Sequence, residues 1–231
     1  MAASHVEIYL KSAELDYTMR QEVLLHMDSI CRIARDDMVT FCLTFGDFYA
    51  DHGRLDDAEK LYLRALAGYE KALGPDHTST LHTVNNLGNL YYRQGRLSEA
   101  EKLYQRALAG QEKALEPDHT YILITVHNLA VLYAAQGRLS EAEKMYLRAL
   151  AGKEKALGPE HTSTLITVDS LDRLYTLQGR SAEAEKMFHC AQAGKKKASD
   201  SWQSSSPWQD DVQGQLCLLV CLKVLSQTLF P

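Results

Sequence analysis

The feature that most constrains the fold is an internal repeat with a period of 42 residues. Glycines keep that spacing from Gly53 to Gly179. Residues 137–161 match residues 95–119 at 20 of 25 positions. Units of this length stack side by side, so the chain is expected to form an extended array of similar units rather than one central core.

Within each period the apolar residues fall at helical spacing. Val84, Leu87 and Gly88 share one face of a first helix, and Ala100 and Tyr104 share one face of a second helix after the turn. The small residues Gly88 and Ala100 mark the positions where the two helices can approach closely, with Tyr104 filling the space beside them. Each unit is therefore predicted to be a pair of amphipathic helices.

Turn and capping signals separate the predicted helices. Ser98 and Glu101, like the equivalent pairs in the neighbouring units, have the spacing of a capping box at the start of the second helix. The Gly-Pro turn at Pro75 ends the preceding helix and leaves Thr78 to cap the next one. These signals predict the starts of both helices in each unit.

Four glycines recur inside the predicted second helices, where each costs about 1 kcal/mol relative to alanine. Two explanations stay open: close contact between the helices of neighbouring units, or a tolerated defect that duplication copied. The four residues are Gly68, Gly110, Gly152 and Gly194.

This pattern resembles the tetratricopeptide repeat. The 42-residue period, with its long second helix, is similar to the kinesin-light-chain branch of that family and to the repeat tails of fungal NB-ARC sensor proteins. The resemblance implies an all-α fold, a right-handed α-solenoid of about four helix-turn-helix repeats with helical flanks. The positions that match the family pattern are Leu87, Gly88, Tyr91, Ala100, Tyr104 and Ala107.

The repeats and the composition of the flanks predict four segments. Asp172 stands at the small packing position of the fourth unit, so the array is expected to end with that unit. The predicted segments are an N-terminal helical cap at 1–35, an array at 36–198 with units of about 36–77, 78–119, 120–161 and 162–198, a polar linker at 199–214, and an apolar tail or capping helix at 215–231.

Composition argues against several classes of partner. The 25 Lys and Arg against 30 Asp and Glu give a net charge of −5, so the chain lacks the basic excess that favours nucleic acid. No uncharged apolar run of roughly 18 residues is present, so no membrane span is expected. Five cysteines without a C-x-x-C pair favour a reducing compartment, and a cytoplasmic location is predicted.

Catalytic chemistry is not expected. The sequence contains no phosphate-binding loop, dinucleotide-binding glycine pattern, nucleophile elbow or H-E-x-x-H motif. His77, His119 and His161 recur in the turns, but helices pack on the order of 10 Å apart, so the three are too far apart to share a metal. We predict no enzyme activity, no catalytic residue, no cofactor and no metal ion.

In tetratricopeptide arrays the face of each first helix opposite its packing face lines a concave groove, so the resemblance implies the same for this chain. Asn86 and Asn128 match family positions that grip the backbone of a bound peptide, a task for which side-chain amides are suited; a local bridge between helices is the alternative. Arg93 and Arg173 could bind acidic groups. The predicted groove residues are His82, Asn85, Asn86, Asn89, Tyr92, Arg93, Ile124, His127, Asn128, Val131, Asp169 and Arg173.

These features predict a protein-interaction module, an adaptor or scaffold that binds a partner protein or peptide segment, with acidic segments among the candidates. The alternative is a detached sensor tail of a larger NB-ARC-type signalling ATPase or hydrolase. A third hypothesis is self-association through the apolar tail at 215–231.

Overall fold

The computed structural model describes residues 39–205, which form eight α-helices arranged as four successive pairs. Each pair consists of a first helix and a second helix joined by a short turn. The first helices are α1 Val39–Asp51, α3 Thr78–Arg93, α5 Thr120–Ala135 and α7 Thr162–Leu177, and the second helices are α2 Leu55–Leu73, α4 Leu97–Ala114, α6 Leu139–Leu157 and α8 Ser181–Ser205.

The pairs stack in chain order. Each first helix packs against the second helix of its own pair, and α2, α4 and α6 each pack against the first helix of the next pair. The first helices α3, α5 and α7 also contact one another, and to a greater extent than neighbouring second helices do. In a curved stack the more closely spaced layer is the inner one, so the first helices line the concave side.

The four predicted segments are only partly covered by residues 39–205. The N-terminal segment 1–35 and the apolar tail 215–231 lie outside the described residues. Helix α8 extends to Ser205 and so includes 199–205, the beginning of the segment predicted as linker.

The close approach of the two helices in a pair explains the small residue on the first helix. A Cβ added at Gly88 would lie 2.7 Å from Cε1 of Tyr104, closer than side chains tolerate. Tyr104 is buried, and its hydroxyl donates a hydrogen bond to Oδ1 of Asn89 at 2.6 Å. Gly46 and Tyr62 repeat this contact in pair one. The predicted roles of Gly88 and Tyr104 are confirmed.

The glycines inside the second helices also mark close contacts. A Cβ at Gly110 would lie 2.6 Å from Cδ1 of Leu81, and one at Gly152 would lie 2.3 Å from Cδ2 of Leu123. Both leucines belong to the first helix of the same pair. The expectation of close contact between neighbouring units is therefore wrong: the close contact lies between the two helices of one pair.

The predicted caps are wrong at both helix starts. The second helix α4 begins at Leu97 with Arg96 in the cap position and no side-chain cap, so Ser98 lies inside the first turn and forms no capping box. The first helix α3 begins at Thr78, and Nδ1 of His77 accepts a hydrogen bond from the Ser79 amide at 3.2 Å. The turn histidine, rather than the threonine, is the cap.

An arginine immediately before each of the helices α4, α6 and α8 connects neighbouring pairs. The Arg138 guanidinium lies 4.0 Å from the centre of the Tyr133 ring and pairs with Glu141 of its own helix. It also donates to Glu101 on α4 at 2.8 Å. This hydrogen bond lowers the pKa of Glu101. Arg96 and Arg180 repeat the arrangement, so the same charged link recurs between successive pairs.

Pair four departs from the pattern at the position noted in the sequence. Asp172 replaces the glycine or alanine that faces the tyrosine ring of the second helix. Phe188, the counterpart of Tyr104, is 47% exposed instead of buried. The Asp172 side chain is larger and more polar than the glycine or alanine against which the ring packs in the other pairs.

None of the helices between residues 39 and 205 combines the length and the hydropathy that spanning a bilayer requires.

Candidate functional site

The predicted groove residues all lie on first helices of pairs two, three and four. Six lie on α3, four on α5 and two on α7. The solvent-facing sides of these three helices are called the concave surface below. Because 42-residue spacing brings equivalent positions to neighbouring helices, the set is contiguous across the array. It is not equally accessible, however.

Several members of the set are available to a partner. Ile124 and Arg173 are exposed, and Arg173 makes no hydrogen bond or ion pair with another residue of the described range. Asn86 is partly exposed, and its side chain has no hydrogen-bond partner among residues 39–205. Ile166 was expected on the same face from the 42-residue register, one repeat after Ile124, and it is 50% exposed.

Asn85 and Asn128 are engaged with each other. The Asn128 amide donates to Oδ1 of Asn85 at 3.2 Å, which joins α5 to α3. Asn85 is only 3% exposed. This contact between the two asparagines is a local bridge between helices, the alternative role considered for such residues. Asn86 has no such bridge, so the two amides predicted to grip a peptide differ in their surroundings.

Other predicted residues also have partners inside the fold. The Arg93 guanidinium donates to the Ala50 carbonyl at 2.6 Å, and Oδ2 of Asp169 accepts from Nζ of Lys195 at 2.6 Å. Asn89 accepts the hydroxyl of Tyr104. The remaining members are partly buried: His82, Tyr92, His127 and Val131.

A polar cluster lies beneath the concave surface, between pairs three and four. Lys153 on α6 is 3% exposed, and its ammonium donates to Oγ1 of Thr167 at 3.0 Å and to the Ser163 carbonyl at 3.2 Å. Oγ1 of Thr167 also lies 3.2 Å from Nδ1 of His127 on α5. The cluster thus connects α6, α7 and the concave surface.

Burial shifts both basic groups of this cluster toward their neutral forms. Desolvation lowers the pKa of Lys153 to about 8. Desolvation, with a smaller contribution from the charge of Lys153, lowers the pKa of His127 to about 4. At neutral pH the imidazole is therefore uncharged, while the ammonium keeps its proton.

The corresponding interface between pairs two and three is uncharged. Gln111 takes the place of Lys153, and its Oε1 accepts from the Thr125 hydroxyl at 2.8 Å. Gln111 and Thr125 are buried, and Asn85 takes the place of His127. The sequence signal for this cluster was the difference between Lys153 and Gln111 in units that are otherwise nearly identical. The signal was missed because the burial of this position depends on the next pair.

The turn histidines act as helix caps. His77, His119 and His161 each accept a hydrogen bond from a backbone amide two residues later. Within the described range, no three His, Cys, Asp or Glu side chains form a group that could hold a metal ion.

Stacked helix pairs with first helices along the inner side define an α-solenoid, a class of repeat proteins whose curvature creates extended surfaces. The tetratricopeptide repeat model matches residues 39–113, 80–155 and 121–197. The chain therefore belongs to the tetratricopeptide repeat family. The all-α solenoid predicted from the sequence is confirmed.

Solved structures of kinesin-light-chain type are similar in fold. The nearly identical TPR-like repeats of a Podosopora anserina protein assigned to the kinesin light chains, in a form with one substitution, superpose with a TM-score of 0.68 at 24% identity, covering 86% of this chain and 95% of that chain. BtubC (BKLC) from P. vanneervenii gives 0.62 at 22% identity, covering 95% and 84%. The predicted kinesin-light-chain-like repeat is thus confirmed at the level of the fold.

A peptide complex is also among the similar structures. The Rap conjugation gene regulator of the plasmid pLS20, solved with the Phr* peptide, gives a TM-score of 0.64 at 18% identity, covering 79% of this chain and 48% of that chain. No curated protein sequence matches this chain.

Proposed function

We propose that the concave surface binds a segment of a partner protein, so that the chain acts as an adaptor or scaffold. The observation that carries the proposal is the set of unengaged side chains on neighbouring first helices: the amide of Asn86, the aliphatic side chain of Ile124 and the guanidinium of Arg173. Arrays of this family commonly serve as interaction scaffolds and are typically not catalytic.

Each of these groups suits one part of a polypeptide. The Asn86 amide offers a donor and an acceptor to a backbone peptide group, which would otherwise lose its water partners on binding. Ile124 and Ile166 form an exposed aliphatic pair one repeat apart, suited to apolar side chains. Arg173 can form a charge-assisted hydrogen bond with a carboxylate. The chemistry favours a segment that combines apolar and acidic residues.

Other aspects of function stay predictions. A cytoplasmic location follows from cysteine usage alone. The hypothesis of a detached sensor tail of a larger NB-ARC-type ATPase or hydrolase has no contact in residues 39–205 that favours it over a free adaptor. Self-association through the apolar tail concerns residues outside the described range.

A random 12-residue peptide library displayed on phage tests the proposal. The library is selected on the full chain, and enriched peptides are then measured by isothermal titration against the double variant Asn86→Ala, Arg173→Ala. Neither side chain has a polar partner within the described residues, so the variant should keep its fold and thermal midpoint. We expect the variant to bind the enriched peptides at least about tenfold more weakly.

The control is the double variant Lys102→Ala, Lys144→Ala, which changes two exposed residues of the second helices. We expect it to bind the enriched peptides as the unmodified chain does. Equal binding by the Asn86, Arg173 variant, or a library that yields no enriched peptide, would reject the concave surface as the binding site.

A further inference from the structure

Lys153 places a positive charge inside the protein without a carboxylate partner. Its ammonium is buried between α6 and α7, and its hydrogen-bond acceptors are the Thr167 hydroxyl and the Ser163 carbonyl. Within residues 39–205, it forms no ion pair. Burying an ammonium on neutral acceptors alone is costly, because a hydroxyl and a carbonyl replace hydration without neutralising the charge.

The charge is connected to the concave surface by two side chains. Thr167 accepts from Lys153, and its hydroxyl oxygen lies 3.2 Å from Nδ1 of His127. The other ring nitrogen, Nε2, has no hydrogen-bond partner in the described part of the chain. Because no buried side-chain nitrogen or oxygen there lacks a partner, Nε2 is not fully buried, and His127 itself is partly exposed. His127 and Thr167 therefore connect the buried ammonium to a partly exposed position of α5.

The hydroxyl proton of Thr167 has two acceptors within reach. It can point to the Ser163 carbonyl, 3.1 Å away, or to Nδ1 of His127. When it points to Nδ1, the neutral ring carries its proton on Nε2, which is then a hydrogen-bond donor without a partner in the described residues. An anionic acceptor at Nε2 selects this second arrangement, because it needs the donor and is attracted by the charge of Lys153.

We propose that His127 is the docking point for a carboxylate of the bound segment, with Lys153 supplying the positive charge through Thr167. This inference rests on the proposed function and names the chemistry of one subsite within it. The ligand group is an Asp or Glu side chain or a C-terminal carboxylate. A charge held in the interior is screened less by solvent and salt than one on the surface.

The surroundings of this subsite favour an anion as well. The Asp169 carboxylate on α7 is already paired with Lys195, which limits its repulsion of a second carboxylate. Arg173, also on α7, is exposed and unpaired within the described range. The equivalent interface between pairs two and three has neutral Gln111 and Asn85 instead. Of these two interfaces, only the one between pairs three and four therefore favours a carboxylate.

Sodium acetate is the probe, with acetamide as its neutral counterpart of similar shape. The full chain, labelled with ¹⁵N-histidine, is titrated at constant ionic strength, and the ring nitrogens of His127 are followed by NMR after assignment with His127→Asn. We expect acetate, but not acetamide, to shift the Nε2 signal saturably and to fix the proton on Nε2.

The matched variants are Lys153→Gln, which reproduces the residue found at the equivalent position 111, and Lys144→Gln, which removes an exposed lysine of the same helix α6. We expect Lys153→Gln to weaken acetate binding by about tenfold and Lys144→Gln to leave it unchanged. A His127 signal that does not respond to acetate, or responds equally in Lys153→Gln, would overturn the inference. If library peptides still bind the concave surface in that case, the proposed function stands and only the carboxylate subsite is rejected.

Discussion

Replacing Lys153 by glutamine should raise the free energy of unfolding at pH 7. Burial lowers the pKa of Lys153 from 10.5 to about 8 in the folded protein. Each pKa unit corresponds to about 1.4 kcal/mol, so holding the proton in the folded state costs up to about 3 kcal/mol. Glutamine carries no charge, and Gln111 shows that this side chain fits the equivalent interface and accepts a threonine hydroxyl.

The pH dependence has a definite sign. Below pH 8 the lysine is protonated in both states, and the full cost is present. Between pH 8 and 10.5 the folded state has lost a proton that the unfolded state still binds, so the stability of the unmodified chain rises with pH. The Lys153→Gln variant lacks this contribution. The difference in unfolding free energy between the two proteins should therefore shrink to near zero by about pH 10.5.

Urea denaturation followed by far-UV circular dichroism at pH 7, 8, 9 and 10 measures this difference. Because repeat arrays can unfold unit by unit, amide hydrogen exchange of α6 and α7 should be measured in parallel to localise the change. Lys195→Gln is the control, since that lysine is exposed and its ion pair with Asp169 contributes little. A Lys153→Gln variant that is less stable at pH 7, or a difference that does not shrink with pH, would refute the reasoning.

Two further predictions concern packing and charge. Gly110→Ala should lower the unfolding free energy in urea by about 1–3 kcal/mol, because the new Cβ would lie 2.6 Å from buried Leu81; greater stability, as helix propensity alone predicts, would contradict the close contact. Glu101→Gln should cost about 1 kcal/mol at pH 7 by weakening the link to Arg138. That cost should disappear in acid, as the pH falls through the lowered pKa of Glu101. The control Glu116→Gln changes an exposed residue and should leave the unfolding free energy unchanged at both neutral and acid pH.

The sequence predicted the helix pairs because their signals are local and repeated. The small residue Gly88 and the ring of Tyr104 meet within one unit, and the same pattern occurs in several copies. The helix caps were not predicted correctly, because the choice of Arg96 over Ser98 depends on contacts beyond the helix start. The Arg96 guanidinium covers the Tyr91 ring and reaches Glu59 of the preceding pair, partners that a capping rule does not consider.

The concave surface was predictable in register but not in accessibility. Helical periodicity placed Asn85, Asn86 and Ile124 on first helices, as the structure shows. It could not show that the neighbouring first helix covers Asn85, whose side chain is bound by Asn128. Accessibility in a stacked array depends on the next unit, so a pattern within one unit does not determine it.

Lys153 and Lys195 illustrate the same dependence for charge. The two lysines have the same residue type and occupy the same register, one repeat apart. Lys153 is covered by α7 and donates to Thr167, while Lys195 is exposed and pairs with Asp169; no further helix pair covers it in the described part of the chain. Residue type at this position is therefore insufficient to assign a role. A lysine here becomes a source of buried charge only when a following first helix encloses it, and the stability experiment on Lys153, with Lys195 as the control, tests that distinction directly.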